Sequence, residues 1–342
     1  MTRRLTVHRV GPGVSIQDRG RPGYLGFGLS RGGAADLLAL AEGAALLGQD
    51  CDCAALEMAG TGGEFEAHAD LRIALTGAPM RATIDGTRIA WNASHALPAG
   101  ARLSIGGAEA GTYGYLHVGG GVAGPERLGS RSAHLASGLG GPLAAGATLA
   151  IGADPHPGET GQCLPGTPRF DGGTIRVVPS LQTGFFADSE IARFESTGFR
   201  RDARGSRMGV PLAFDTDGFH SDAGLSVLSE IVIPGDIQIT GDGTPFVLLC
   251  ECQTTGGYPR IGSVLPCDLP WVVQAPPGAG LRFRFVTLHA ALAAERSAQV
   301  HRDGLRGTLR PLVRDPAEIR DLLAYQLVGG VTAGDDGDPG AA

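Results

Sequence analysis

The sequence predicts a mainly β protein with α segments, arranged in two parts. Glycine (56 residues) and proline (22 residues) are abundant and spread along all 342 positions, as expected for many short strands joined by tight turns. Short segments with alternating apolar residues fill positions 63–118, and a polar Pro/Gly-rich stretch at 152–172 separates them from a second β-rich part. We therefore place an N-terminal β-rich part with one helix at 1–152, a C-terminal β-rich part at 172–303, and a helix with a flexible tail at 304–342.

In the first part, alternating apolar residues predict a strand over residues 4–10, followed by a long loop at 11–33. The run that follows Asp36 has apolar residues at helical spacing and closes at Gly48, which predicts a helix. The segments at 63–118 are broken by glycine at close intervals and predict antiparallel strands.

The second part begins with a predicted strand at 174–180 and a helix near 188–196. Further strands are predicted within 226–264 and 281–288, and helices at 287–301 and 316–327. Asp315 as N-cap, Pro316 at the first position and Glu318 three residues after the cap mark the start of the last helix.

Composition excludes several kinds of chemistry. All 28 basic residues are arginine, so the chain offers no Schiff-base lysine and no P-loop lysine. A net charge of -7 without a basic tract argues against nucleic acid as a partner. The N-terminus lacks the apolar core of a signal peptide, and no apolar run approaches the roughly 18 residues of a membrane span. We expect a cytoplasmic protein with its six cysteines reduced.

Three familiar motifs favour structural interpretations. The glycines at 119–124 fit a dinucleotide fingerprint, but no helix follows them, so they indicate a turn. The match to G-x-S-x-G at 28–32 lacks the preceding core strand that a nucleophilic serine requires, which favours a loop. The two C-x-C pairs have no histidine nearby in the sequence, so we predict no metal site and treat these cysteines as small buried residues.

Two polar stretches carry groups suited to binding. Residues 15–23 place an amide, a carboxylate and two guanidinium groups on a glycine-rich loop. Residues 252–259 follow a very apolar strand and place an amide, two hydroxyls and a Gly-Gly pair at its end. Such groups hold a carboxylate, amide or phosphate in a polar pocket. Ordinary hairpin chemistry explains the second stretch equally well.

The same stretches resemble a known family. Its Q-D-x-G-R-x-G and G-A-M-D motifs are matched at 17–23 and 33–36, and its L-G-S-R-S element at 128–132. Further matches are R-M-G at 207–209, L-S-E at 228–230 and, most specifically, Q-T-T-G-G-Y-P at 253–259. Together these motifs resemble the second subunit of the bacterial 5-oxoprolinase and allophanate-hydrolase type, related to the carboxyltransferase domain of urea carboxylase and urea amidolyase. The resemblance implies cyclophilin-like β-barrel domains and a homologous first-subunit partner.

Some positions depart from the family pattern. Residues 179–182 read Pro-Ser-Leu-Gln in place of the frequent Gly-Pro-Gln. Ser206 and Glu251 each stand where aspartate is frequent, and Ser30 stands at a proline position. These differences leave the fold expectation unchanged and bear on the choice of substrate.

The resemblance and the chemistry of the side chains together give a candidate site. For catalysis, as base, orienting or amide group, the candidates are Asp18, Glu230 and Gln253. For substrate binding, the candidates are Gln17, Arg21, Ser130, Arg131, Arg207, Thr254, Thr255, Gly256, Gly257 and Tyr258.

The leading hypothesis is a subunit of an ATP-dependent 5-oxoprolinase, with no tightly bound cofactor and with ATP and magnesium entering in the assembled complex. A lactamase-type, metal-dependent subunit would be a further partner. A second hypothesis is a carboxyltransferase subunit acting on urea or another amide, with carboxybiotin on a separate carrier because the chain has no lysine to biotinylate. A third is a non-catalytic subunit that antagonises a kinase inhibitor.

Overall fold

A computed structural model describes residues 3–224 and 226–313. The first part contains two seven-stranded sheets, and every strand pair in them is antiparallel. Its early strands are β1 Arg4–Val10, β2 Ser15–Gln17, β3 Ala55–Ala59, β4 Gly63–Ala67, β5 Leu71–Gly77 and β6 Met80–Ile84. They are followed by β7 Thr87–Ile89, β8 Ala93–Leu97, β9 Arg102–Ala108, β10 Tyr113–Val118, β11 Val122–Ala123, β12 Thr148–Ile151 and β13 Gln162–Cys163.

The two sheets face each other across one apolar core, and we call this first part the sandwich. The first sheet has the order β11-β12-β1-β4-β9-β6-β7, and the second begins β2-β3-β10-β5-β8-β13. Alternate residues of β4 are buried, so its Phe65 packs with Leu56 and Leu103 from other strands. This alternation is the period-2 signal that identified the strands in the sequence. The predicted antiparallel β part is confirmed.

Helix α1 (Leu37–Leu47) lies between the parts. The Asp36 side chain accepts hydrogen bonds from the N–H groups of Leu38 at 3.0 Å and Ala39 at 3.1 Å, which is N-capping. Gly48 ends the helix in the left-handed region with φ of 60°. The predicted cap, helix and stop are confirmed.

The second part is a closed barrel of seven strands. Its strand order is β14-β21-β18-β19-β16-β15-β22, and β14 pairs with β22 in parallel while the other pairs are antiparallel. The barrel strands are β14 Gly173–Val178, β15 Phe199–Arg201, β16 Gly209–Ala213, β18 Asp236–Ile239, β19 Pro245–Leu248, β21 Arg260–Val264 and β22 Gly280–Phe285. Outside the barrel, β17 Glu230–Ile231 and β20 Thr255–Gly256 form a two-stranded ribbon.

Three more helices accompany the barrel: α2 Asp188–Ser196, α3 Leu269–Gln274 and α4 Leu288–Gly304. Helix α2 contributes Phe194, whose ring lies 5.1 Å from that of Phe199 and 5.3 Å from that of Phe283. The helices predicted near 188–196 and at 287–301 are confirmed. The helix predicted at 316–327 lies outside the described residues, within which no helix is long and apolar enough to cross a membrane.

After α4 the chain returns to the sandwich. Strand β23 (Arg310–Pro311) pairs with β13 and extends the second sheet of the sandwich. The limits 1–152, 172–303 and 304–342 remain predictions, and this strand shows that pairing crosses from the last segment to the first part. The chain therefore runs between the two parts twice.

The interface between the parts is buried and polar at two points. The Arg169 guanidinium donates to the Asp36 carboxylate at 2.8 Å and to Glu42 at 2.7 Å, and all three side chains are buried. The Gln274 amide of α3 donates to Asp36 at 2.8 Å and accepts from the N–H groups of Thr112 and Tyr113. Asp36 thus caps α1 and joins the linker and the barrel part to it.

We expect Asp36→Ala to lower the free energy of unfolding by about 3 kcal/mol, because it removes the cap of α1 and one of the two carboxylates that pair with buried Arg169. Urea denaturation monitored by circular dichroism measures this loss. Asp303→Ala, at the exposed end of α4, serves as the control and leaves the midpoint nearly unchanged. Equal midpoints for Asp36→Ala and wild type would contradict the assignment.

Candidate functional site

Asp18 is the centre of the first polar cluster. Its Oδ1 accepts hydrogen bonds from the hydroxyls of Ser130 at 2.6 Å and Ser132 at 2.5 Å and from Gly20 N–H at 2.8 Å, and its Oδ2 accepts from Arg131 N–H at 2.6 Å. Each carboxylate oxygen already has a short donor, and the residue is buried. This geometry favours a role in fixing the loop at 130–132, and the catalytic role assigned to Asp18 stays a prediction.

The loop that Asp18 holds is a tight turn. Leu128 has a φ of 55° and Gly129 a φ of 77°, so two successive residues occupy the left-handed region. Ser130 is buried against Asp18, whereas the Arg131 side chain is 36% exposed and pairs with Glu126 at 2.9 Å. Of the residues predicted in this motif, Arg131 is the one whose charged group reaches the surface.

Arg21 and Gln17 support the same loop from below. The buried Arg21 guanidinium donates to the carbonyls of Arg127 at 3.3 Å and of Ser132. Burial lowers the pKa of Arg21, although the neighbouring Asp18 charge opposes this shift. The Gln17 amide donates to the Ala133 carbonyl at 3.1 Å. The structure therefore brings Gln17, Asp18 and Arg21 together with Ser130 and Arg131, as one cluster.

Arg207 joins the two parts of the protein. Its guanidinium donates to Glu251 at 2.6 Å within the barrel part, and to Glu57 and to the Gly33 carbonyl at 2.5 Å in the first part. Burial favours the neutral form of Glu251, but the Arg207 charge outweighs it and lowers the pKa of that carboxyl. All guanidinium nitrogens of Arg207 are engaged, which favours a structural role over the predicted binding role.

Ser30 has a histidine partner that the sequence did not indicate. The Ser30 hydroxyl lies 2.9 Å from Nε2 of His134, and Nδ1 of His134 lies 4.0 Å from the Glu251 carboxylate. However, Nδ1 accepts a hydrogen bond from the Ser137 N–H at 3.2 Å, so Nε2 carries the proton and donates to Ser30. In this tautomer His134 cannot take the serine proton. A short 3-10 helix at Leu25–Phe27, and not a strand, precedes Ser30, as the loop interpretation requires.

The second cluster surrounds the ribbon of β17 and β20. Glu230 pairs with Gly256 and Ile231 with Thr255 across the ribbon. The Gln253 amide donates to Oε1 of Gln238 at 3.0 Å. A Cβ at Gly256 would lie 2.2 Å from the Gln238 amide nitrogen, so any larger residue there would displace that amide.

Exposure differs along the predicted turn. Gln253 and Thr255 are exposed, and Tyr258 is 42% exposed. Thr254 and Gly257 are half-buried, and their carbonyls accept from Val232 and Val227 respectively. The stretch is thus both a ribbon, as hairpin chemistry predicts, and a surface that presents one hydroxyl and one phenol.

Arg260 and Gln182 complete this cluster and were not predicted. Buried Arg260 donates to Glu230 at 2.5 Å and to Asp236 at 3.2 Å, while Gln182 donates to Glu230 at 2.9 Å. Glu230 is therefore held by two donors, and its catalytic role stays a prediction. Asp236 lies in strand β18, and a carboxylate inside an apolar strand is the sequence signal from which a buried cation could have been inferred.

The cysteines fit the structural interpretation. Cys250 and Cys252 are buried, and desolvation raises the pKa of Cys250 to about 11 and that of Cys252 to about 12. Thiols with such pKa values remain protonated and unreactive near neutral pH. Asp50, Cys51 and Asp52 place their ligand atoms within 4.8 Å of one another on one loop. The absence of a metal site stays a prediction.

Residues 27–285 match the family model for the carboxyltransferase domain, subdomain A and B. The chain belongs to the carboxyltransferase subdomain A and B family. This confirms the resemblance drawn from the motifs at 17–36, 128–132 and 253–259.

Relatives of this carboxyltransferase-family chain include named enzyme subunits. It is 31% identical to the C-type subunit of 5-oxoprolinase from Escherichia coli over 86% of its own length and 95% of that protein. It is 27% identical to urea amidolyase of Saccharomyces cerevisiae over 87% of its own length but only 17% of that protein. The family thus occurs both as a separate subunit and within much longer chains.

Solved structures support the same fold. TTHA0988 is 31% identical with a TM-score of 0.75 over 83% of this carboxyltransferase-family chain, which spans 56% of that chain. The urea carboxylase of Kluyveromyces lactis has a TM-score of 0.80 over 92% of the family member described here and 31% of its own length, at 24% identity. The mainly β, two-part architecture with a barrel is therefore confirmed.

We expect Arg207→Met to lower the free energy of unfolding by about 3–5 kcal/mol near neutral pH, because it leaves two buried carboxylates without their cation. In the wild type, the lowered pKa of Glu251 gives stability that is present above the unfolded pKa of about 4.3 and is lost as the pH falls through the folded value. In the variant, unpaired Glu251 would have a raised pKa, so its folded state loses stability as the pH rises.

The difference in thermal unfolding midpoint between wild type and Arg207→Met is therefore largest near pH 8 and narrows toward pH 5. Differential scanning calorimetry across this range measures it. Arg204→Met removes a mostly exposed pair with Asp202 and serves as the matched control. A pH-independent difference for Arg207→Met would show that the carboxylates are not the cause.

Proposed function

We propose that this chain is the C-type subunit of a 5-oxoprolinase, working with a homologous first subunit in the cytoplasm. The observation that carries this proposal is the 31% identity to the Escherichia coli protein across 95% of its length. Coverage of nearly the whole relative supports a shared role better than a match to one segment of a long multidomain chain.

The substrate chemistry explains why more than one chain is required. A lactam is a stabilised amide, so its opening near neutral pH needs activation, and ATP supplies a phosphoryl group that makes the lactam oxygen a leaving group. In our proposal, a lactamase-type metal-dependent subunit opens the ring. The present chain holds the substrate through polar groups that reach its surface.

Two such groups stand out among the predicted site residues. Arg131 carries a partly exposed guanidinium on the loop fixed by Asp18, and Thr255 carries an exposed hydroxyl on the ribbon. Arg21 and Arg207 are buried and bonded to the protein, so in this proposal they hold the binding loops in place. Gly256 and Gly257 allow close approach of a ligand to the backbone, and Tyr258 borders the same surface.

Carboxyl transfer is the second candidate function. The family model describes carboxyltransferase subdomains, and the urea amidolyase of Saccharomyces cerevisiae is a relative. In this alternative the surface receives carboxybiotin from a separate carrier chain, since the present sequence contains no lysine to which biotin is attached.

Reconstitution tests these functions. The chain is co-purified with its first-subunit partner, the lactamase-type subunit is added, and ATP hydrolysis is measured with and without 5-oxoproline. Turnover that depends on 5-oxoproline supports the proposal. Turnover that depends on bicarbonate and biotin supports carboxyl transfer and contradicts it. Absence of both, with stable binding to the partner, favours the regulatory alternative.

In the reconstituted complex, we expect Thr255→Val and Arg131→Ala each to abolish 5-oxoproline-dependent ATP hydrolysis. Both side chains reach the surface, so the thermal unfolding midpoint of each variant stays near that of wild type. Thr148→Val on β12 and Arg102→Ala on β9 are matched exposed controls that retain turnover. Full activity in either site variant would refute the assignment of that residue.

A further inference from the structure

A small cavity beside the loop fixed by Asp18 has the composition of an anion site. Its volume is about 170 Å³, and its base is apolar, formed by Ile16, Val122 and Ala133. This volume corresponds to about five or six water molecules at roughly 30 Å³ each, which suits a carboxylate or phosphate group and excludes a whole nucleotide.

The polar wall of the cavity consists of hydrogen-bond donors. Arg127 and Arg131 both line it. Nε of Arg131 is inaccessible to solvent and has no acceptor among the described residues. The Arg127 guanidinium likewise donates to no acceptor in residues 3–224 and 226–313. Nη1 of Arg131 has a carboxylate partner, Glu126 at 2.9 Å.

Backbone N–H groups lie on the same wall. Gly140 and Gly141 line the cavity, and within the described part of the chain their N–H groups have no backbone or side-chain acceptor. Gly140 has a φ of 74°, and a Cβ there would lie 3.4 Å from Nη1 of Arg127 and 3.2 Å from Cα of Ala133. The guanidinium of Arg127 therefore lies over a glycine whose missing side chain keeps the cavity open.

The loop geometry explains why both arginines face one cavity. Leu128 and Gly129 are in the left-handed region, and Arg127 N–H donates to the Ser130 carbonyl at 2.8 Å. This turn brings Arg127 and Arg131 to the same side, and Asp18 fixes the turn through its bonds to the 130–132 backbone and hydroxyls. Preorganised donors around a small space favour an anion, because they need no rearrangement on binding.

We propose that this cavity binds one small oxyanion, the carboxylate of the amide substrate, through Arg127, Arg131 and the N–H groups of Gly140 and Gly141. This inference deepens the proposed function and rests on it for the identity of the substrate. A phosphoryl group offers the same chemistry, so the experiment compares the two sources directly.

Isothermal titration of the full chain, without ATP or other subunits, tests the inference separately from turnover. The titrants are 5-oxoproline, 2-pyrrolidinone, which is the same lactam without the carboxylate, and inorganic phosphate. We expect 5-oxoproline to bind and 2-pyrrolidinone not to bind. Phosphate that binds in place of 5-oxoproline would support the oxyanion site and assign it to a phosphoryl group. No binding of either anion, or equal binding of both lactams, would overturn the inference.

Three variants locate the binding. Arg127→Gln and Arg131→Gln each remove one charged donor and should weaken anion binding roughly tenfold or more. Gly141→Leu keeps both charges but fills the cavity, because open space surrounds the Cβ position at Gly141, and it should abolish binding. Arg88→Gln and Gly307→Leu are exposed controls with wild-type affinity.

The unfolding midpoint of each variant is measured first, and Gly141→Leu remains informative if an arginine variant fails to fold. Unchanged affinity in folded Gly141→Leu would place the anion elsewhere. If the cavity variants lose anion binding while the complex shows no 5-oxoproline-dependent turnover, the site stands and the proposed function fails. If turnover is present but the cavity variants bind normally, the reverse holds.

Discussion

The buried Arg207 guanidinium is the interaction on which the arrangement of the two parts depends. It receives one carboxylate from each side, Glu57 from the sandwich and Glu251 from the barrel part, and it also bonds to the Gly33 carbonyl. A desolvated cation between two carboxylates is stable only when both are in place. The relative position of the parts is thus set by charge pairing within a largely apolar contact, and the loops that begin near Gly33 and Glu251 inherit that position.

The polar clusters depend on this frame in different ways. The cluster at Asp18 lies within the sandwich and is fixed by short hydrogen bonds from its own loop. The cluster at the ribbon lies on the barrel part and is fixed by Arg260, which bonds both Glu230 and Asp236. In both, buried ionic groups orient loops whose outer residues are exposed. The chemistry we propose is carried by the outer residues, while the buried ones supply rigidity.

Much of the fold could be predicted from the sequence because the signals were local. The Asp36 cap and the Gly48 stop defined α1, and alternation defined strands such as β4. The closure of the barrel, with β14 parallel to β22, depends on pairing between residues more than one hundred positions apart, which periodicity does not report. For the same reason no local pattern indicated His134 beside Ser30 or Arg260 beside Glu230. The motif residues were found, but the distinction between buried supports and exposed ligand groups required burial and hydrogen-bond partners.

The return of the chain after α4 has a consequence for how this protein can be divided. Because β23 completes a sheet that began with residues near the N-terminus, the barrel is inserted between two pieces of the sandwich's own strand set. A cut in the 152–172 stretch would leave the N-terminal fragment without its edge strand and expose the backbone of β13 to self-association. The barrel behaves as a domain insertion with two tethers, so rotation relative to the sandwich is restricted to motions that both crossings allow, and the halves are expected to be expressed and inherited as one unit.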